Sequence, residues 1–161
     1  METSMTIPKT KQDIQISSRK KFYLTNYRPA KLIASSNIKN YEEVFQSKDD
    51  SIAKIKRDLG DSFTKGYIKI WLIELNELLN LRRPMTESQI TFSAQLVVDE
   101  FFNLKISDLT LLFRKILSGQ YGELYESLNP PKILGFFRSY LNERTAIAAE
   151  YSMQQHLKHK Q

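Results

Sequence analysis

A chain of 161 residues can bury roughly two-thirds of the surface it exposes when unfolded, so one domain can stand without a metal or a disulfide. The absence of cysteine excludes disulfide frameworks, thiolate zinc sites, iron–sulfur clusters and cysteine nucleophiles. The whole net charge of +6 is carried by residues 1–39, while residues 40–161 are neutral overall, which predicts a basic arm attached to a neutral core.

Residues 1–39 alternate polar and apolar side chains without a sustained 3.6-residue period, and they carry Pro8 and Pro29. They predict an extended or disordered arm. Gln12 to Ser17 and Phe22 to Thr25 have strand-like composition, but neither is long enough to stand alone. The segment also lacks the apolar core of a secretory signal.

From Asn40 the punctuation becomes helical. Asn40 with Glu43 has the spacing at which cap and third helical residue satisfy each other's N–H groups, so a short helix is expected from Tyr41 to about Ser47. Asp50 or Ser51 caps a second helix, with Ile52, Ile55 and Leu59 on one face and Gly60 ending it. A third spans Ser62 to Leu81, where Phe63, Tyr67, Ile70, Trp71, Leu75, Leu78 and Leu79 recur at three and four; Arg82 and Arg83 suit the negative end of its dipole and Pro84 stops it. Thr86 with Gln89 opens a fourth helix, whose apolar face is Ile90, Ala94, Val97, Val98, Phe101 and Phe102. Ser107 is the expected cap of a fifth helix that ends at Gly119, and Asn129 followed by Pro130 and Pro131 caps a sixth that runs past Tyr151.

These elements predict an all-α protein. Over residues 40–161 the expectation is a compact single-domain helical bundle or orthogonal array of about five to six helices, behind an extended basic arm over residues 1–39. No stretch approaches the ~20 apolar residues of a membrane span, because the most apolar run, Tyr67 to Leu81, is broken by Lys69, Glu74, Asn76, Glu77 and Asn80.

Residues suited to catalysis are scarce. His156 and His159 are the only groups that titrate near neutrality and both fall in the last turn or two, while HExxH, GxSxG, the phosphate loop and GxGxxG are absent. Carboxylates at Glu74/Glu77 and Asp99/Glu100, and at Asp49, Asp50, Asp58 and Asp61, read as solvated helix faces and caps rather than metal sites. No catalytic, metal or cofactor-binding residue is expected, and the chain is not expected to be an enzyme.

Two stretches suggest binding. In the arm, Arg19, Lys20 and Lys21 are followed by Phe22, Tyr23, Tyr27 and Arg28. Cations neutralise phosphates and exposed rings stack on unpaired bases, so Arg19, Lys20, Lys21, Tyr23 and Arg28 are candidate nucleic-acid contacts. A solvated tail, or an arm docking onto an acidic protein, has the same composition. Between the fifth and sixth helices, Gly119 to Tyr125 combines two glycines with two tyrosines. Capping and a tight turn account for the glycines, and tyrosines often close a core; the functional alternative is a partner-binding surface made by Tyr121, Gly122 and Tyr125 with Arg138 and Arg144. Arg144 lies four residues after Tyr140 on the same helical face, and pairing with a carboxylate at the core edge is its other reading.

Met85 to Ile90, Asp108 and Leu109 to Phe113, Gly119 to Gly122 with Leu124 and Tyr125, and then Tyr140, Arg144 and Ala148, resemble small all-α proteins of Bacteroidetes phages and mobile elements, over residues 85–150. In size and helix pattern those proteins are similar to phage helicase loaders and replisome organisers, which bring a helicase to DNA. Together with the charge partition, the resemblance implies a non-enzymatic accessory protein of DNA replication or metabolism in the cytoplasm of a bacterial host. Its helical domain would bind a protein partner, a replication protein or its own oligomer, and its arm would contact nucleic acid. Two alternatives stay open: a virion-type assembly protein whose arm orders on a neighbouring subunit, and an inhibitor of a host protein.

Overall fold

The computed structural model describes residues 7, 8, 10–123 and 126–160. Among them the chain forms eight helices: α1 (Lys11–Asn26), α2 (Pro29–Ser35), α3 (Tyr41–Gln46), α4 (Ile52–Leu59), α5 (Asp61–Leu79), α6 (Glu87–Glu100), α7 (Ile106–Leu117) and α8 (Pro130–His159). No strand occurs among the described residues, only two isolated bridges, Ser51 with Lys105 and Arg83 with Ser127.

The caps explain most of the boundaries. Asn40, Ser51 and Asn129 each accept a hydrogen bond from the backbone N–H three residues on, and Thr86 and Gln89 satisfy one another reciprocally at 2.9 and 3.2 Å. Gly60 ends α4 at φ +94°, a backbone region that a side chain would disfavour. Gly119 (φ +79°) ends α7: its N–H donates to Ile116 O and the Gln120 N–H reaches back to Lys115 O at 3.0 Å. Two boundaries differ from the sequence expectation. α5 stops at Leu79 because Asn80 turns left-handed at φ 46°, ahead of the arginines and Pro84. α7 begins two residues early, capped at Lys105, whose N–H donates to Asp108 Oδ2 at 2.8 Å, while Ser107 lies inside the helix and bonds Asp49.

The larger difference lies in residues 10–39, expected to be extended and found as α1 and α2. Thr10 and Asp13 form a reciprocal cap at the start of α1. Its inward side holds Ile16, Lys20, Tyr23 and Tyr27, of which only Tyr23 is fully buried. A helix that buries one residue in four turns has almost no apolar stripe, so the 3.6 period was invisible. The packing is specific nonetheless: the Tyr67 hydroxyl donates to Tyr27 O at 2.6 Å, and the Tyr23 hydroxyl to Asp50. Residues 1–6 and 9, also assigned to the arm, lie outside the described residues.

The core follows an aromatic ladder. Tyr23 meets Tyr67 at 5.8 Å, Tyr67 meets Trp71 at 6.4 Å, Trp71 stacks on Phe113 at 5.1 Å, and Phe113 meets Phe137, which touches Phe101. The ladder thus crosses from α1 through α5 and α7 to α8. Each large ring removed from water contributes of the order of 2 kcal/mol, and favourable ring geometry adds about 1 more. Phe102 and Leu78, expected on apolar faces, are about half exposed at 45% and 49%.

The helix α7 lies at the centre, packed by α2, α3, α5 and α8. Nearly all of it is buried, and its polar groups hold the shell. Arg114 donates from Nε to Ile33 O at 2.9 Å, from Nη1 to Ile38 O at 2.7 Å and from Nη2 to Ser36 O at 2.8 Å, so one guanidinium satisfies the carbonyls at the end of α2. Lys105 does the same for α3 through Val44 O and Ser47 O. Replacing Arg114 by Ala strands these carbonyls and is expected to cost about 3 kcal/mol in urea unfolding, with Arg114→Lys recovering less than half of the loss. An Arg114→Ala chain as stable as the native one would refute this capping role.

Candidate functional site

Two regions carry the residues singled out from the sequence. The first is the α1–α2 pair. Its five candidate nucleic-acid contacts divide. Tyr23 is 3% exposed and its hydroxyl is committed to Asp50, so its ring has no face left for a base. Arg19 pairs with Asp58 at 3.3 Å, and the Lys20 ammonium lies 5.8 Å from the centre of the Phe63 ring. Lys21 and Arg28 are exposed.

Helical geometry brings others beside them. Measured round the helix from Tyr23, the solvent side of α1 holds Lys11, Ile14, Lys21, Phe22 and Thr25, all exposed, and Arg28 and Lys31 follow at the start of α2. Among the described residues Lys11, Lys21, Arg28 and Lys31 make no ion pair, and Phe22 is 51% exposed. Lys11, Phe22 and Lys31 were not among the candidates, because an extended arm has no inside and outside by which to rank its side chains.

The second region is the junction of α7 and α8. Asp108 is completely buried, and it accepts from the Tyr140 hydroxyl at 2.6 Å, from Arg144 Nε at 2.7 Å and from its own cap N–H. Arg144 therefore pairs with a buried core carboxylate. Arg138 is exposed, 3.5 Å from Glu100. Tyr121 packs its ring against Phe136 at 5.9 Å, and its hydroxyl is buried beside Tyr41 and Glu143 without a well-formed hydrogen bond among the described residues. Gly122 adopts φ +97° in the connecting loop, and Tyr125 lies outside the described residues. Of the described partner candidates, Arg138, Arg144 and Tyr121 thus have different neighbours and do not converge on one another. Lys115, which the sequence did not single out, joins α7 to α3 and α8: it pairs with Glu143 at 2.8 Å, donates to the Tyr41 hydroxyl at 3.2 Å and lies over the Tyr41 ring at 4.5 Å.

Burial pushes the phenols of Tyr23, Tyr41, Tyr67 and Tyr140 well above the ordinary tyrosine range, reinforced by Asp50 at Tyr23 and by Asp108 at Tyr140. Tyr121 is pushed up to about 12, by burial first and then by Glu143. Burial also opposes ionisation of Asp50, but hydrogen bonds from Tyr23 and Lys54 outweigh it and hold the carboxyl below its usual range. None of these shifts activates a nucleophile at neutral pH. Among the described residues no group of three His, Asp or Glu side chains is placed to hold a metal, and no helix is long and apolar enough to cross a membrane.

Compared with family models, curated proteins and solved structures, the chain matches none. Its own geometry carries the functional argument.

The raised phenols make a pH dependence. A phenol whose folded pKa is raised gives its full stabilisation below the ordinary value of 10.0 and loses it as pH rises from there toward the folded value, because the unfolded chain releases a proton that the folded one keeps. Each such tyrosine removes about 1.4 kcal/mol per pH unit in that window. The urea midpoint is therefore expected to fall steeply above pH 10.0, with phenolate absorbance appearing together with loss of helical circular dichroism. Complete ionisation of all eight tyrosines in a chain that stays folded would contradict this.

Proposed function

We propose that the protein is a non-enzymatic accessory factor of phage or mobile-element DNA metabolism. In this reading the solvent face of α1–α2 contacts single-stranded or nonspecific nucleic acid, and the helical domain contacts a protein partner. The observation that carries the proposal is where the charge lies. The described part of the basic segment is a helix pair seated on a neutral domain, with Lys11, Lys21, Arg28 and Lys31 pointing away from it and the Phe22 ring among them. Four cations without an ion pair among the described residues, together with the half-exposed Phe22 ring that meets Tyr27 at 5.6 Å, offer phosphate neutralisation and base stacking.

The assembly alternative rested on an arm with no partner in its own chain. Residues 10–39 have such partners in Asp50, Asp58, Tyr67 and Arg114, which leaves that alternative with less to explain.

Removing residues 1–39 is a poor test, because it would strip Tyr23 and Tyr27 from Phe63 and Tyr67 and destabilise the core. Neutralising the outward cations avoids this. The quadruple variant Lys11→Ala, Lys21→Ala, Arg28→Ala, Lys31→Ala is expected to bind single-stranded DNA at least about tenfold more weakly at low salt and to lower the salt slope by about 3, with an unchanged melting curve. Equal binding by the variant, or no binding by the native chain at low salt, would remove the nucleic-acid half of the proposal.

A further inference from the structure

The buried Asp108 does more than satisfy Arg144. It uses only one of the five donors that a guanidinium carries, the Nε–H, at 2.7 Å. Neither Nη atom of Arg144 makes a hydrogen bond among the described residues, and the side chain keeps 20% of its surface open. The Phe45 ring lies 5.4 Å beneath the guanidinium carbon. Arg144 is thus fixed at both its Nε edge and its flat face, with its remaining donors unspent.

Arg144 also lines an open cleft of about 530 Å³, together with Phe45, Ser51, Asn103, Lys105 and Tyr151. No acidic residue lines it. The Tyr151 ring packs against Phe45 at 5.3 Å, giving an aromatic shelf beside the arginine. Lys105 adds a second positive charge, although two of its three ammonium donors are committed to Val44 O and Ser47 O. Set against Asp108, the two cations leave one uncompensated positive charge at the cleft, which matches a monoanionic carboxylate better than a dianionic phosphate.

We propose that this cleft receives an Asp or Glu side chain from an extended segment of a protein partner. Its carboxylate takes two hydrogen bonds from the free Nη groups of Arg144, and a neighbouring apolar side chain lies on the Phe45–Tyr151 shelf. The guanidinium is already desolvated on one face and immobilised by Asp108, so little ordering cost remains when the ligand arrives. The proposal rests on the protein-partner half of the functional reading and gives that partner its chemistry, an acidic peptide.

The test follows the Arg144 Nε–H signal by nuclear magnetic resonance in the full chain. The probe is the blocked peptide acetyl-Glu-Phe-Glu-amide, compared with its Gln-Phe-Gln counterpart and with inorganic phosphate at equal ionic strength. Saturable shifts of Arg144 and Phe45 with the acidic peptide, and none with the neutral one, are expected. Arg144→Ala would strand the buried Asp108, so the diagnostic variant is Asn103→Asp, which places a carboxylate in the lining and leaves the Asp108 network intact. It is expected to weaken the acidic peptide at least tenfold while leaving the DNA shift and the melting curve unchanged. Equal binding of the neutral peptide, saturation by phosphate in place of the peptide, or unchanged affinity in Asn103→Asp would overturn the proposal. A blank titration beside an intact DNA shift would overturn the cleft alone.

Discussion

A helix that is buried on every side must find all of its polar partners inside the protein, and α7 is such a helix. Ile106 to Phe113 are buried without a break, so nothing on that stretch can be solvated. Thr110 is satisfied within the helix, by Ile106 O, and the other polar side chains on it reach neighbouring segments: Asp108 reaches Tyr140 and Arg144 of α8, Ser107 reaches Asp49 ahead of α4, Arg114 reaches the end of α2, and Lys115 reaches Tyr41 of α3 and Glu143 of α8. The apolar part of α7 would accept many neighbours; these pairings are what restrict it to one arrangement. They also explain how helices as short as α2 and α3 persist. Seven- and six-residue helices are marginal alone, and both have their terminal carbonyls held by cations that α7 and its cap present.

The same constraint links fold to function. Because Asp108 is buried, Arg144 is held from behind and its outward donors are available, which is the arrangement a recognition arginine needs. At the N-terminal helix pair, Tyr23 and Tyr27 hold α1 against α5, so the cations of α1 fall on a rigid helix rather than a flexible tail. A rigid basic face loses less freedom on binding than a disordered one. The two proposed contacts, one for phosphates and one for a carboxylate, therefore use separate surfaces on one scaffold, and a single molecule can engage both.

The amino-acid sequence by itself determined the all-α class and the six helices after Asn40, because their signals are local: the caps at Asn40, Ser51, Thr86 and Asn129, the glycines at 60 and 119, and an apolar period sustained over α5, α6 and α7. It also located the net charge. What only the tertiary structure decided was the state of residues 10–39 and the partners of the polar side chains. The helix α1 lacks an apolar stripe and depends on Tyr23 meeting Asp50 and Tyr67, contacts 27 and more residues away. Arg144 could be read as a core-edge ion pair or as a partner contact, and the buried carboxylate it pairs with is 36 residues away. Burial, and hence which donors remain free, is a property of the packed chain, and a linear pattern of residue types does not carry it.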